Sequence, residues 1–108
     1  MVTATIPSPN LAEEFLDWLV CGHIQDVLAA GAIAGHAVRL SDPPVPLRIQ
    51  AVYHFPNREA LDSYLTNHAP RLRADGLRRF PPERGITFER TVGDIVPITS
   101  QAGSPQSR

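Results

Sequence analysis

Short runs of strict alternation and two longer runs at helical spacing follow one another along the chain. Val2 to Ile6, VTATI, alternates apolar and polar positions in the manner of a half-buried strand, and Pro7 and Pro9 close it. Asn10 follows as the expected N-cap of a helix, with Glu13 three residues on as its capping-box partner. Beyond that cap, Leu11, Phe15, Trp18, Leu19 and Gly22 share one stripe, and Glu14 and Asp17 lie on the other face.

A second strand, AIAGHAVRL at residues 32–40, is joined by the Pro-rich SDPPVP to a third, LRIQAVYHF at 47–55. In the third strand Leu47, Ile49, Ala51, Tyr53 and Phe55 alternate with Arg48, Gln50, Val52 and His54, so one face is apolar and the other mixed. Asn57 caps a second helix through Leu61, Tyr64, Leu65, His68 and Leu72, which Pro70 should kink or split. The piece after the proline is basic and stops at Pro81-Pro82. ITFERTVGDIV, residues 86–96, supplies a last strand alternating through Ile86, Phe88, Arg90 and Val92. The order βαββαβ predicts an α+β, ferredoxin-like fold: a four-stranded antiparallel sheet with two helices on one face.

Length and composition narrow this picture. At 108 residues and 43% hydrophobic content, one domain with a thin core is expected over residues 1–96, and oligomerisation is a natural supplement to it. Residues 97–108, rich in Ser, Gln, Pro and Gly, read as a flexible tail. The charge of -1 argues against nucleic acid or an anionic membrane as partner. The lone Cys21 gives neither a disulfide framework nor a zinc spacing, and no apolar run approaches a membrane span, so a cytoplasmic setting is expected. Phosphate loop, nucleophile elbow and dinucleotide fingerprint are all missing from the sequence.

The segments FLDWLVCGHIQDVLAAG, AVYHF, YLTNHAPRLRADGLRRF and ITFERT carry a resemblance to a small bacterial family known as a domain of unknown function, of the ferredoxin-like dimeric α/β-barrel group. It spans roughly residues 2–96. Members of that family tend to show a Trp and then a His-Ile-Pro segment after the first helix; Trp18, His23 and Ile24 match, while Gln25 stands where proline is usual. The resemblance implies a homodimer in which two sheets pack face to face around a cavity lined by their mixed faces. The wider group includes cyclases, monooxygenases, haem enzymes and simple binding modules, so it fixes no activity.

Within that frame His54 is the first candidate for acid–base chemistry, with Gln50 and Arg48 beside it to hold a carbonyl or carboxylate oxygen of a substrate. Equally, all three could be solvated or bridge the dimer. His36 joins them if even-numbered residues of both central strands share a face; a slip of one residue sends it to the helix side. His23 suits the helix exit, where its ring can bond the last free carbonyls with Asp26 as partner; a catalytic role is the other reading. Trp18 and Tyr53 belong to apolar stripes and read as core. The basic run Arg71, Arg73, Arg78 and Arg79 could grip an anion, or form a solvated face pairing with Asp75 and Glu83. The four histidines lack metal-ligand spacing, so neither metal nor cofactor is expected. The functional expectation is a small-molecule-binding homodimer, a cofactor-independent cyclase, dehydratase or isomerase. The alternative is a non-catalytic dimerisation or ligand-sensing module.

Overall fold

Four strands and their helices appear in the order that alternation predicted. In the computed structural model, which describes residues 1–98, β1 (Val2–Ile6) leads into α1 (Pro9–Trp18), a single π-helical stretch (Leu19–His23) and α2 (Ile24–Ala29). After these come β2 (Ala34–Leu40), β3 (Leu47–His54), α3 (Arg58–Asn67), α4 (Ala69–Arg79), a 3-10 turn (Pro82–Arg84) and β4 (Thr87–Arg90). The sheet is antiparallel in the order β2-β3-β1-β4, a mixed α+β architecture compatible with the ferredoxin-like unit.

β2 starts two residues later and β3 ends one residue earlier than expected, and two other boundaries differ in ways that matter more. Ser8, not Asn10, caps α1: its hydroxyl accepts from the Leu11 N–H at 3.3 Å, because Pro9 is pre-set for the first helical position and starts the helix earlier. Glu13 is thereby free of any capping box and pairs with Arg39 of β2 at 2.7 Å. The last strand is also shorter than the predicted 86–96, since regular pairing along β4 stops at Arg90 and residues 91–98 carry no regular structure. From residue 99 onward the expected tail lies outside the described residues.

Pro70 splits the second helical region, as its ring requires. His68 leaves helical geometry at φ -126°, and the chain restarts as α4 with Pro70 in its first turn, where a missing N–H costs nothing. Asn57 caps α3 as expected, accepting from the Ala60 N–H at 2.8 Å.

The first helical region holds a feature that no periodicity announced. Instead of ending near Gly22, the helix widens: the Ile24 N–H reaches back five residues to the Leu19 carbonyl before α2 resumes. Gln25 donates from its side chain to the Val20 carbonyl at 2.8 Å, satisfying an acceptor within the wide turn. A proline at this position would have no such donor.

The helices cover one face of the sheet. Ala4, Ile6, Ile49 and Ala51 from the strands pack against Leu11, Phe15, Leu19 and Phe80 to form the main core, and Val27, Ala32 and Leu72 form a smaller cluster beside it. Outside the core, Glu14 ties α1 to the far end of the chain, accepting from Arg84 at 2.7 Å and from Arg79 at 3.2 Å. Arg78 pairs with Asp75, as the spacing predicted, whereas Arg79 turns to Glu14 rather than to Glu83.

Candidate functional site

Register settles which histidines share a face. Ala34 pairs with His54, His36 with Val52 and Val38 with Gln50, so even-numbered residues of β2 and β3 lie together on the face that no helix covers. His36 therefore joins His54, with ring centroids 6.0 Å apart. Gln50 donates to the Thr3 hydroxyl at 3.1 Å on the same face. Arg48 is turned to its own loop, donating to the Pro43 carbonyl at 2.6 Å and the Pro46 carbonyl at 3.2 Å. The structure thus brings together His36, His54 and Gln50, and draws Arg48 away from them.

His23 lies on the opposite side of the sheet, among the helices. Five residues along an ordinary α-helix are about 140° apart round the axis, which would point Trp18 and His23 in different directions. The wide turn brings them together, and their rings stack at 4.2 Å between centroids and 20° between planes. His23 makes no capping hydrogen bond, and the helix does not exit there. Burial holds the imidazole below its ordinary pKa; Asp26 nearby acts in the opposite direction without overcoming it, and Arg90 adds to the lowering. The ring is therefore neutral at pH 7.

Around His23 opens a cavity of about 600 Å³ between the helices and the covered face of the sheet, at the end where β1 begins and β3 and β4 finish. Its walls are mainly apolar: Phe15, Trp18 and Leu19 from the first helical region, Leu61 and Leu65 from α3, Leu77 and Phe80 from α4, Phe88 from β4. Thr91 to Ile95 run along one side, held by the backbone pair between Met1 and Thr91 and by the Arg58–Asp94 ion pair at 3.0 Å. His54 borders this cavity at the end of β3, with its ring paired to His36 on the other face.

Polar groups from several elements also reach the cavity wall. Tyr53 projects from β3 between the two apolar clusters, and its buried hydroxyl has no hydrogen-bond partner. Burial, with Tyr64 adding to it, pushes that phenol well above its ordinary pKa. Tyr64 of α3 is likewise raised by burial, against the lowering effect of Arg73, Arg90 and Arg71. Arg73 of α4 and Arg90 of β4 also line the cavity, and Arg90 lies over the Phe88 ring at 5.6 Å. Among the described residues neither arginine forms an ion pair with a carboxylate. Burial and the like charge of Arg73 both work against the Arg90 cation.

Gly35 makes room for this arrangement. A Cβ there would lie 3.0 Å from both Tyr53 Cδ1 and Ile24 Cγ2, so the Tyr53 ring lies almost against the β2 backbone. Gly76 does the same for Trp18, whose ring edge would be 3.2 Å from an added Cβ.

Tyr53, Tyr64 and Arg90 were not among the site residues expected from sequence, whereas Arg73 belongs to the basic run for which an anion grip was one of two readings. One signal for them was legible: Arg90 continues the alternation of Ile86 and Phe88, which places a charge on the covered face of the sheet. Tyr53 carried no such mark, because an aromatic residue on an apolar stripe looks the same whether it fills a core or lines a void.

The structure is thus an α+β domain with one bare sheet face and a mostly apolar, arginine-edged cavity under its helices. The chain belongs to the family described as Domain of unknown function (DUF4286), whose model matches residues 1–95. No curated protein and no solved structure matches it. Among the described residues no group of His, Cys, Asp and Glu is arranged to hold a metal ion, and no helix is long and apolar enough to cross a membrane.

Proposed function

We propose that this protein binds a small, largely apolar molecule in the cavity between its sheet and its helices. The observation that carries the reading is a cavity of about 600 Å³ with mainly apolar walls and the unpaired Arg73 and Arg90 at its edge. Ligand pockets typically combine this size and apolar lining with a few polar groups. Where the bound molecule undergoes proton transfer, in a cofactor-independent cyclisation, dehydration or isomerisation, His23 is the base. It borders the cavity, is neutral near pH 7, and is oriented by the Trp18 ring.

Native mass spectrometry of the purified protein tests the reading. A mass in excess of the chain that is released on denaturation, or a saturable change in Trp18 fluorescence with apolar probes, is the expected result. A bare chain whose Trp18 emission is indifferent to every apolar probe would refute it.

The bare sheet face supports a second, compatible proposal: two copies pair through it as a dimeric α/β barrel. Val38 and Val52 stand there among His36, His54 and Gln50, a mixed surface that suits an interface. In that dimer His54 and His36 would face their counterparts, and His54 keeps the acid–base role expected from sequence. Light scattering on wild type and on Val52→Glu checks this, with a dimer converted to monomer as the expected outcome and an unchanged monomer the contrary one.

A further inference from the structure

Polar groups from several elements reach the cavity wall, and the charged side chains there that have no ion-pair partner, Arg73 and Arg90, are both positive. Arg73 and Arg90 approach from different layers, one from α4 and the other from the end of β4. Both residues are solvent-exposed at the edge of the apolar cavity. Their like charges repel each other, which an anion seated between them would relieve. The other charged groups bordering the cavity are the Met1 ammonium, which donates to the Thr91 carbonyl, and Arg58 and Asp94, which are bonded to each other. No carboxylate is therefore left over inside to answer Arg73 and Arg90 among the described residues.

We infer that the cavity selects an organic anion, a carboxylate on an apolar body, with its charged end between Arg73 and Arg90 and its body among Phe15, Trp18, Leu61 and Phe80. The inference rests on the reading of this cavity as a ligand site and adds the chemical class of the ligand. A carboxylate suits the arrangement in two ways. Its two oxygens match the planar fork of a guanidinium, and charge-assisted bonds of this kind are about twice as strong as neutral ones. Its lone pairs can also accept from a phenol, and Tyr64 of α3 lines the same cavity. An amine would add a third positive charge and is excluded on the same reasoning.

The test uses three probes of equal length, octanoate, octanol and octylamine, titrated into the full chain. Trp18 is the reporter, since it lines the cavity and is the single tryptophan. Octanoate is expected to bind at least about tenfold more tightly than octanol, in keeping with a charge-assisted contact, and octylamine more weakly than either. In Arg90→Gln the preference for octanoate over octanol should fall to within about threefold, with the octanol affinity held. Arg73→Gln, on the exposed flank of α4, should reduce the preference in the same direction and serves if Arg90→Gln disturbs the sheet. Arg78→Gln, paired with Asp75 outside the cavity, should leave it unchanged. Equal binding of octanoate and octanol overturns the inference while leaving the cavity a ligand site. A preference that survives both cavity substitutions also overturns it, and failure of all three probes removes the ligand site itself.

Discussion

Replacing Tyr53 by phenylalanine takes away one oxygen and leaves the ring, its packing against Gly35 and both apolar clusters in place. In the unfolded chain that hydroxyl is hydrated. In the folded protein it is shut away from water with no protein group to bond it. The desolvation of an unsatisfied hydroxyl costs about 1–3 kcal/mol, so Tyr53→Phe should stabilise the ligand-free protein, and the lower end, about 1 kcal/mol, is the safer figure because a water in the cavity would recover part of the loss. For a domain of this size each kcal/mol moves Tm by about 4–8 °C. Equilibrium urea unfolding with an unchanged m-value, together with a thermal melt followed by circular dichroism, would measure it. A ligand-free Tyr53→Phe variant that is less stable than wild type by about 1 kcal/mol would mean the hydroxyl already has a partner, and the reasoning would fail.

Further outcomes follow from other parts of the structure. Ser8→Ala should cost about 1 kcal/mol in urea unfolding, while Asn10→Ala should change little, since the cap of α1 is Ser8. The Arg84 hydrogen bond, with help from Arg79, holds the Glu14 carboxyl down to about 2. The stability it contributes is complete above the ordinary value of 4.5 and drains away as pH falls from there towards 2, and a pH series of denaturation midpoints should show a shallower acid slope in Glu14→Gln. His23 runs on the same side of the balance for a different reason: its folded pKa lies below 6.5, so the unfolded state takes up protons first and stability declines as pH drops below 6.5. The same series on His23→Gln should lose that decline.

Strands were the legible part of this chain. VTATI and LRIQAVYH alternate so strictly that burial follows the pattern, and the proline in APRLRADG split its helix where ring geometry demands. The facing of His36 was not legible, because pairing register is a property of two strands at once and a slip of one residue inverts it. The wide turn after Trp18 was hidden for a related reason: a stripe drawn at the α-helical period carries no information about where that period fails. As a result His23 was read as the cap of a helix that in fact continues. The cavity was the least legible of all. Phe15, Trp18 and Tyr53 were correctly placed on covered faces, but periodicity reports which way a side chain points and not whether another meets it there.

The surplus residue in that wide turn acts as a phase shift along the first helical region. Before it, Leu11, Phe15 and Leu19 address the main core; after it, Ile24 returns to that core and Val27 addresses the smaller cluster. In a helix of unbroken period Ile24 would stand about 140° from Leu19 round the axis. An ordinary α-helical turn built from the same residues would rotate all that follows by about 100°, carrying His23 off the Trp18 ring and Val27 away from its partners, whereas deleting Gly22 would restore the period and leave His23 four residues from Trp18, about 40° round the axis. The position of the cavity's histidine is thus a matter of counting, set by the number of residues in a single turn.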